Sequence, residues 1–155
     1  FAIGGRLGIS HDAHNVSLNY FGISDQGRYL FPREWGREKF YASLTRELFE
    51  GYGGLNAYVL KYKFNPEEKP YWFSLGAGYI DQPDNEELRL SKYGLDDYYH
   101  VTGKFDYKFK GYLEGLDIKC IVACKVEAVD GSMSYRQKIN KADMINLNLV
   151  VDYRF

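Results

Sequence analysis

The sequence predicts an all-β fold, a transmembrane antiparallel up-and-down β-barrel to which this chain contributes seven or eight strands. Three observations predict it. Apolar and polar residues alternate over most long segments, short and long connections alternate along the chain, and aromatic side chains recur at one end of the strands. A composition of 15 Tyr and 10 Phe with only 4 Pro also favours strands, because flat rings pack well on a pleated surface. We expect residues 1–155 to form the C-terminal part of one larger barrel domain.

The last strand shows the alternation most clearly. From residue 145 onward every second residue is apolar and the residues between are polar, with Val150 as the exception. Because the side chains of a strand point alternately to its two faces, one face of this segment meets an apolar phase and the other meets water. The same pattern predicts further strands at residues 3–9, 16–20, 56–64, 71–79, 99–109 and 116–128.

Residues 40–48 could form an eighth strand. As a full barrel strand, however, this segment would make residues 25–39 a periplasmic connection, which is too long for that side of a barrel. We therefore interpret residues 25–54 as one large external loop that folds over or into the pore. Part of it mixes Trp, Arg and Glu, which suits a loop that narrows a pore, although an ordinary surface loop explains the mixture equally well. The candidate constriction residues are Arg33, Glu34, Trp35, Arg37 and Glu38.

The connections alternate in length. Residues 65–70 and 110–115 are short turns, whereas residues 81–98 and 129–143 are long and polar. Outer-membrane barrels have brief periplasmic turns and longer external loops, and they carry girdles of aromatic residues at the membrane interfaces. With the C-terminus on the periplasmic side, outward-facing aromatic residues fall at the periplasmic ends of the strands. This predicted girdle consists of Tyr62, Phe64, Tyr71, Phe73, Tyr107, Phe109, Tyr153 and Phe155.

The charged faces of the same strands are expected to line the lumen. Eight of their charged residues are basic and four are acidic, and such an excess attracts anions or the carboxylate end of a solute. Lys and Asp on neighbouring strands could instead pair and fill the lumen, as in small closed barrels. The predicted pore-lining residues are Arg6, Lys61, Lys63, Lys104, Asp106, Lys108, Asp117, Lys119, Lys125, Glu127, Asp152 and Arg154.

Three short motifs resemble one family. The stretches SKYGL at residues 91–95, GLDIK at 115–119 and LVVDY at 149–153, with a long loop before residue 55, look like the C-terminal part of OprD-type substrate-specific outer-membrane porins. The resemblance implies pores of about 18 strands, often assembled as trimers, that pass small carboxylate-bearing solutes along a ladder of lumen arginines. Lys119 stands where a ladder arginine would be expected, and Ile121 and Asn148 occupy two further such positions.

The expected function is a bacterial outer-membrane porin for passive uptake of small, anionic or carboxylate-bearing solutes, without enzymatic activity or a cofactor. Its expected partners are outer-membrane lipid, the solutes, the barrel-insertion machinery that recognises the C-terminal strand, and two further copies in a homotrimer. A net charge of −1 gives no sign of nucleic-acid binding. The alternative is a complete eight-stranded OmpA-like structural or adhesive barrel with a filled lumen. A soluble lipocalin-like carrier would need its apolar face inward and its lysines outward.

Two small clusters could hold a metal ion but are not expected to. In the stretch HDAH, a spacing of three along a strand would put His11 and His14 on opposite faces, and no third ligand is evident. Cys120 and Cys124 would lie about 13 Å apart in a strand, which is too far for a disulfide bond. We therefore predict no metal site.

Overall fold

The seven strands that the alternation predicts are all present and pair in chain order. The computed structural model describes residues 1–30, 39–47, 49–84, 86–128, 134–139 and 143–154. Each strand hydrogen-bonds to the one before it, which confirms the all-β, antiparallel up-and-down topology, and the sheet is open with β1 and β7 at its edges. The strands are β1 (Ala2–His11), β2 (His14–Ile23), β3 (Asn56–Phe64), β4 (Tyr71–Asp81), β5 (Tyr98–Lys108), β6 (Leu116–Glu127) and β7 (Met144–Tyr153).

Helical structure is confined to the connections. A single turn of 3₁₀-helix spans Gly111–Leu113, and a short α-helix, α1, spans Tyr135–Ile139. Within the described parts of the chain, no helix is long and apolar enough to cross a membrane. Residues 39–47 form turns and no strand, so the described part of the suspected eighth strand belongs to the long connection between β2 and β3.

The register of the strands separates two faces of the sheet. On one side, which we call the apolar face, Leu18 pairs with Leu60 on the neighbouring strand. On the other side, the polar face, Ser17 pairs with Lys61. The pairing continues without a bulge through all seven strands, so each face is a regular array of cross-strand rows. The two faces therefore differ in chemistry over the whole width of the sheet.

The tight turn between β1 and β2 corrects one expectation. His11 and His14 pair across it and share the apolar face, whereas their spacing predicted opposite faces. The prediction was wrong because the chain reverses at Asp12, whose φ of 49° lies in the left-handed region, so the two histidines are cross-strand neighbours. His14 Nδ1 hydrogen-bonds to the Tyr62 hydroxyl at 2.8 Å. Among the described residues, no three His, Cys, Asp or Glu side chains are placed to hold a metal ion.

The core lies on the polar face, at the end of the sheet where the long connections leave it. There, residues 39–47 and 49–55 of the connection between β2 and β3 pack down onto the strands, and the ring of Phe40 stacks on that of Phe21 with centroids 3.9 Å apart. The strands contribute Phe21, Ile23, Ala57, Val59, Ile80 and Tyr98 to the buried cluster, and the connections contribute Ala42, Leu44, Phe49, Tyr52, Leu55 and Leu95.

Candidate functional site

The apolar face is a band of exposed aliphatic side chains. Leu60 and Val101 are each about half exposed although they lie in the middle of the sheet. No charged residue interrupts this band on any of the seven strands. One row across the sheet consists of Leu7, Leu18, Leu60, Ala77, Val101, Cys124 and Ile145, and the next of Ile9, Val16, Tyr62, Leu75, Gly103, Val122 and Leu147.

Aromatic rows border the β3 to β5 part of this band at both ends. At the end with the short turns, Phe64, Phe73 and Phe105 form one row, and the rings of Phe64 and Phe73 lie 5.5 Å apart. At the end with the long connections, four tyrosines occupy adjacent strands. The distance between the two rows is six residues, or about 20 Å along a strand. The tyrosine row is Tyr20, Tyr58, Tyr79 and Tyr99.

The predicted girdle residues within strands lie on the apolar face near the short turns, and Phe155 lies outside the described residues. The tyrosine row was not predicted from the sequence, because its members stand at different distances from the ends of their strands. Parity alone would have put each tyrosine on the outward face. Only the register shows that Tyr20, Tyr58, Tyr79 and Tyr99 stand side by side.

The polar face carries the charged residues that were predicted to line a lumen. Arg6 pairs with Asn19, Lys63 with Ser74, and Ser74 with Lys104, so that these side chains share the polar side with the buried core. Arg154 follows β7, and its Nε lies 3.7 Å from Asp152 Oδ2 at the exposed end of the sheet. Those on the polar face within strands are Arg6, Lys61, Lys63, Lys104, Asp106, Lys108, Asp117, Lys119, Lys125, Glu127 and Asp152.

A cavity of about 930 Å³ lies between the polar face and residues 39–47. Glu47 is the one carboxylate among the described residues that line it. No ion pair within 4.0 Å joins Lys63 or Lys104 to a carboxylate in the described chain. We call this space the basic cavity, after its cationic lining residues Arg6, Lys39, Arg46, Lys61, Lys63, Lys104 and Lys125.

The first anchor of the connection is a lysine on the sheet. Lys61 Nζ donates hydrogen bonds to the carbonyl oxygens of Tyr41 at 2.6 Å and Ser43 at 2.8 Å. Leu44 then lies directly over Gly76 and Gly78, where added Cβ atoms would approach it to 2.6 Å and 3.4 Å. The two glycines thus leave room for a leucine against the sheet, and the loop follows the sheet surface closely.

The second anchor is a buried charged cluster around Glu47, which is only 6% exposed. Its Oε2 accepts hydrogen bonds from Lys125 Nζ at 2.6 Å and from the Tyr98 hydroxyl at 2.6 Å. His100 is fully buried, and its Nδ1 lies 3.6 Å from the same oxygen, too far for a hydrogen bond. Burial by itself would raise the pKa of Glu47, but the His100 ring, the Lys125 charge and the Tyr98 hydroxyl outweigh burial and lower this pKa to about 2.

The cavity includes loop residues that were not predicted from the sequence. The candidate constriction residues Arg33, Glu34, Trp35, Arg37 and Glu38 lie outside the described residues. The loop residues Leu44, Arg46 and Glu47 were not predicted, because the irregular segment that holds them has no periodicity to indicate a buried face. An acidic residue in a loop is ordinarily a solvated one, and nothing in the pattern marks Glu47 as buried.

Comparison of the chain with protein-family models, with curated protein sequences and with solved structures found no match in any of the three.

Proposed function

We propose that this chain forms part of the wall of a bacterial outer-membrane porin, with its apolar face towards lipid and its polar face lining a water-filled channel. The observation that carries the proposal is the separation of charge between the faces. The apolar band crosses all seven strands without a charged side chain, and the opposite face holds the basic cavity. Wet and lipid-facing sides alternate in this way along the strands of a membrane barrel.

The two aromatic rows support lipid as the apolar phase. Membrane barrels carry an outward apolar band about 25 Å tall with aromatic girdles at both interfaces. Here the tyrosine row and the phenylalanine row enclose aliphatic residues and lie about 20 Å apart along the strands, which is about 15 Å of height at a strand tilt of about 40°, so they bound the inner part of such a band. A soluble monomer rarely exposes so continuous an apolar patch.

The two free edges of the sheet support a larger barrel. In an up-and-down sheet of seven strands, β1 and β7 run in the same direction, so closing them on each other would make a parallel pair. In the proposed barrel, further strands pair with these edges. The chain would enter the membrane through recognition of β7 by the insertion machinery, and a homotrimer is the expected assembly.

The basic cavity supports anions as the transported class. Lys63 and Lys104 flank Ser74 on the wall and have no carboxylate partner in the described chain, so their field acts on whatever enters. Small carboxylate-bearing solutes fit this lining, in agreement with the resemblance of residues 91–95, 115–119 and 149–153 to OprD-type porins. The mechanism is electrostatic selection in a wet constriction, with no chemical step.

A filled barrel of the OmpA-like, structural or adhesive kind is the second candidate. The buried cluster around Leu44 and Phe49 favours it, because these residues occupy the side that would be the lumen. The basic cavity favours the channel, because a space of about 930 Å³ stays open beside that cluster.

Single-channel recording separates the two candidates. The protein, expressed from its complete reading frame and purified from outer membranes, is expected to give discrete, anion-selective conductance steps in planar bilayers. Lys63→Glu with Lys104→Glu should reduce or reverse this selectivity, whereas the control pair Lys69→Glu and Lys110→Glu, which changes exposed residues of the short turns, should not. Correctly inserted protein without any conductance would refute the porin and favour the filled barrel.

A further inference from the structure

Arg46 is held in an unusual position by its surroundings. Its backbone has a φ of 68°, in the left-handed region. A residue with a side chain loses stability when it adopts this conformation. Its side chain lines the basic cavity, and Nη2 donates to the Asn148 Oδ1 on β7 at 3.4 Å. The connection between β2 and β3 thus reaches over to the last strand through this one guanidinium group.

Both anchors of the connection lie next to Arg46. Leu44, two residues before it, packs over Gly76 and Gly78, and Lys61 holds the neighbouring carbonyl groups. Glu47, the residue after it, is bonded to Lys125 and Tyr98. Because the fixed points lie on both sides, the backbone of Arg46 cannot move far unless one of them breaks.

The contact with Asn148 fixes the level of Arg46 along the channel axis. Register pairs join Lys63, Ser74, Lys104, Ile121 and Asn148 in one row across β3 to β7. The β3 to β5 part of this row is basic, but its β6 and β7 part is uncharged. Arg46 supplies a cation over that uncharged part, so that the row carries positive charge from β3 to β7.

We infer that Arg46 is a specificity-determining residue of the pore, completing with Lys63 and Lys104 a positively charged girdle around the solute path, and that Glu47 is the positioning residue that keeps it there. This inference rests on the proposed porin function. Glu47 itself adds little negative field to the path, because it is buried and its charge is compensated by Lys125.

The two roles predict opposite changes in the anion preference of the Glu47→Gln variant. If Glu47 acted directly on permeating ions, loss of its negative charge would increase the preference for anions. If it positions Arg46, neutralising it weakens the Lys125 contact and releases the arginine from the path, so that the preference for anions falls. A rise in the anion preference would therefore indicate a direct effect of Glu47 on ions, and a fall would indicate that it positions Arg46.

The test measures reversal potentials in a KCl gradient across planar bilayers, with protein from the complete reading frame. We expect Arg46→Gln to lower the anion-to-cation permeability ratio about threefold in 0.1 M salt, because a unit charge about 7 Å from the path acts oppositely on anions and cations and is partly screened. Arg46→Lys should keep most of the ratio. Glu47→Gln should lower it while Arg46 is present, but when added to Arg46→Gln it should lower the ratio no further and should raise it slightly, because Lys125 loses its compensating charge. Arg89→Gln is the matched control, because Arg89 is exposed beside Glu87, 3.7 Å away, and is not among the residues of the basic cavity.

Changing the charge at position 46 chemically, after the protein has folded and inserted, avoids the problem of variants that fail to fold. Arg46→Cys is introduced into a background with Cys120→Ser and Cys124→Ser, and the inserted pore is treated with a negatively or a positively charged methanethiosulfonate reagent. The positive reagent should restore anion selectivity and the negative one should reduce it further. Equal effects of the two reagents, or a wild-type ratio in Arg46→Gln, would overturn the inference while the conducting wild type upheld the porin. A higher ratio in Glu47→Gln would overturn the positioning role alone. A wild type without conductance would overturn both proposals.

Discussion

An arginine placed in the middle of the apolar face tests whether lipid covers that face. Leu60 and Tyr58 lie on the same side of β3 and are 53% and 49% exposed. If this face met only water, an arginine at either position should therefore change the free energy of unfolding by a similar amount. They differ in depth. Tyr58 belongs to the tyrosine row, whereas Leu60 lies about 7 Å from that row and about 13 Å from Phe64 at the other border. Leu60→Arg should therefore destabilise the protein in a bilayer by about 2–4 kcal/mol, and Tyr58→Arg by about 0–1 kcal/mol.

The assay is reversible unfolding of the whole protein in lipid vesicles by denaturant, followed by tryptophan fluorescence. The quantity compared is the free energy of unfolding of each variant relative to the wild type. Tyr58→Arg also loses the ring contact with Tyr20, whose centroid lies 5.4 Å away, and this works against the predicted difference. If both variants stay within about 0.5 kcal/mol of the wild type, as surface substitutions in water do, the lipid-facing assignment of this side of the sheet is refuted.

Two further predictions concern the Glu47 cluster. Because its pKa is lowered from 4.5 to about 2 in the folded state, Glu47 should contribute stability that is fully present above pH 4.5 and lost as the pH falls towards 2, by about 3 kcal/mol in all. Unfolding free energies between pH 2 and 6 should show this slope in the wild type and lack it in Glu47→Gln. Lys125→Met should leave a buried carboxylate without its ion pair and destabilise residues 39–47 by about 3–5 kcal/mol. Amide hydrogen exchange in that segment should rise accordingly, and adding Glu47→Gln should restore only the part of the protection that the unpaired buried charge had cost, whereas unchanged exchange in Lys125→Met would contradict an anchoring role.

The sheet could be predicted from sequence because its chemistry repeats with the period of a strand. Residues 116–127 alternate except at Ile121 and Ala123, which are apolar, and β6 is found at Leu116–Glu127, one residue shorter than the predicted segment 116–128. The strand predicted at residues 99–109 is found one residue earlier, as β5 at Tyr98–Lys108. A one-residue slip in pairing would have turned every lysine of the polar face towards the apolar side, so the pattern specifies the register strongly.

The loop site could not be predicted in this way, because its contacts join residues far apart in the chain. Glu47 meets Lys125, and Arg46 meets Asn148. Neither pair has a fixed spacing, and neither loop residue belongs to a periodic segment. The only local signal was on the wall, where Gly76 and Gly78 interrupt the polar face of β4. Glycines in a strand indicate a close approach by another part of the chain, and here Leu44 makes that approach.

The position of this loop also argues against a lipocalin-like carrier. Such a carrier encloses its apolar face and exposes its lysines, so a covering loop should lie over the apolar side. Here residues 39–47 and 49–55 cover the polar face, and Leu44 is buried beside Lys61 while Leu60, the preceding residue of the strand, stays exposed on the other side. The loop buries the apolar cluster around Leu44 and Phe49 on the polar face and leaves the aliphatic band of the other face open. A sheet in water would gain further stability by covering that band, so the proposed porin, in which lipid covers it, accounts for this arrangement better than the carrier does.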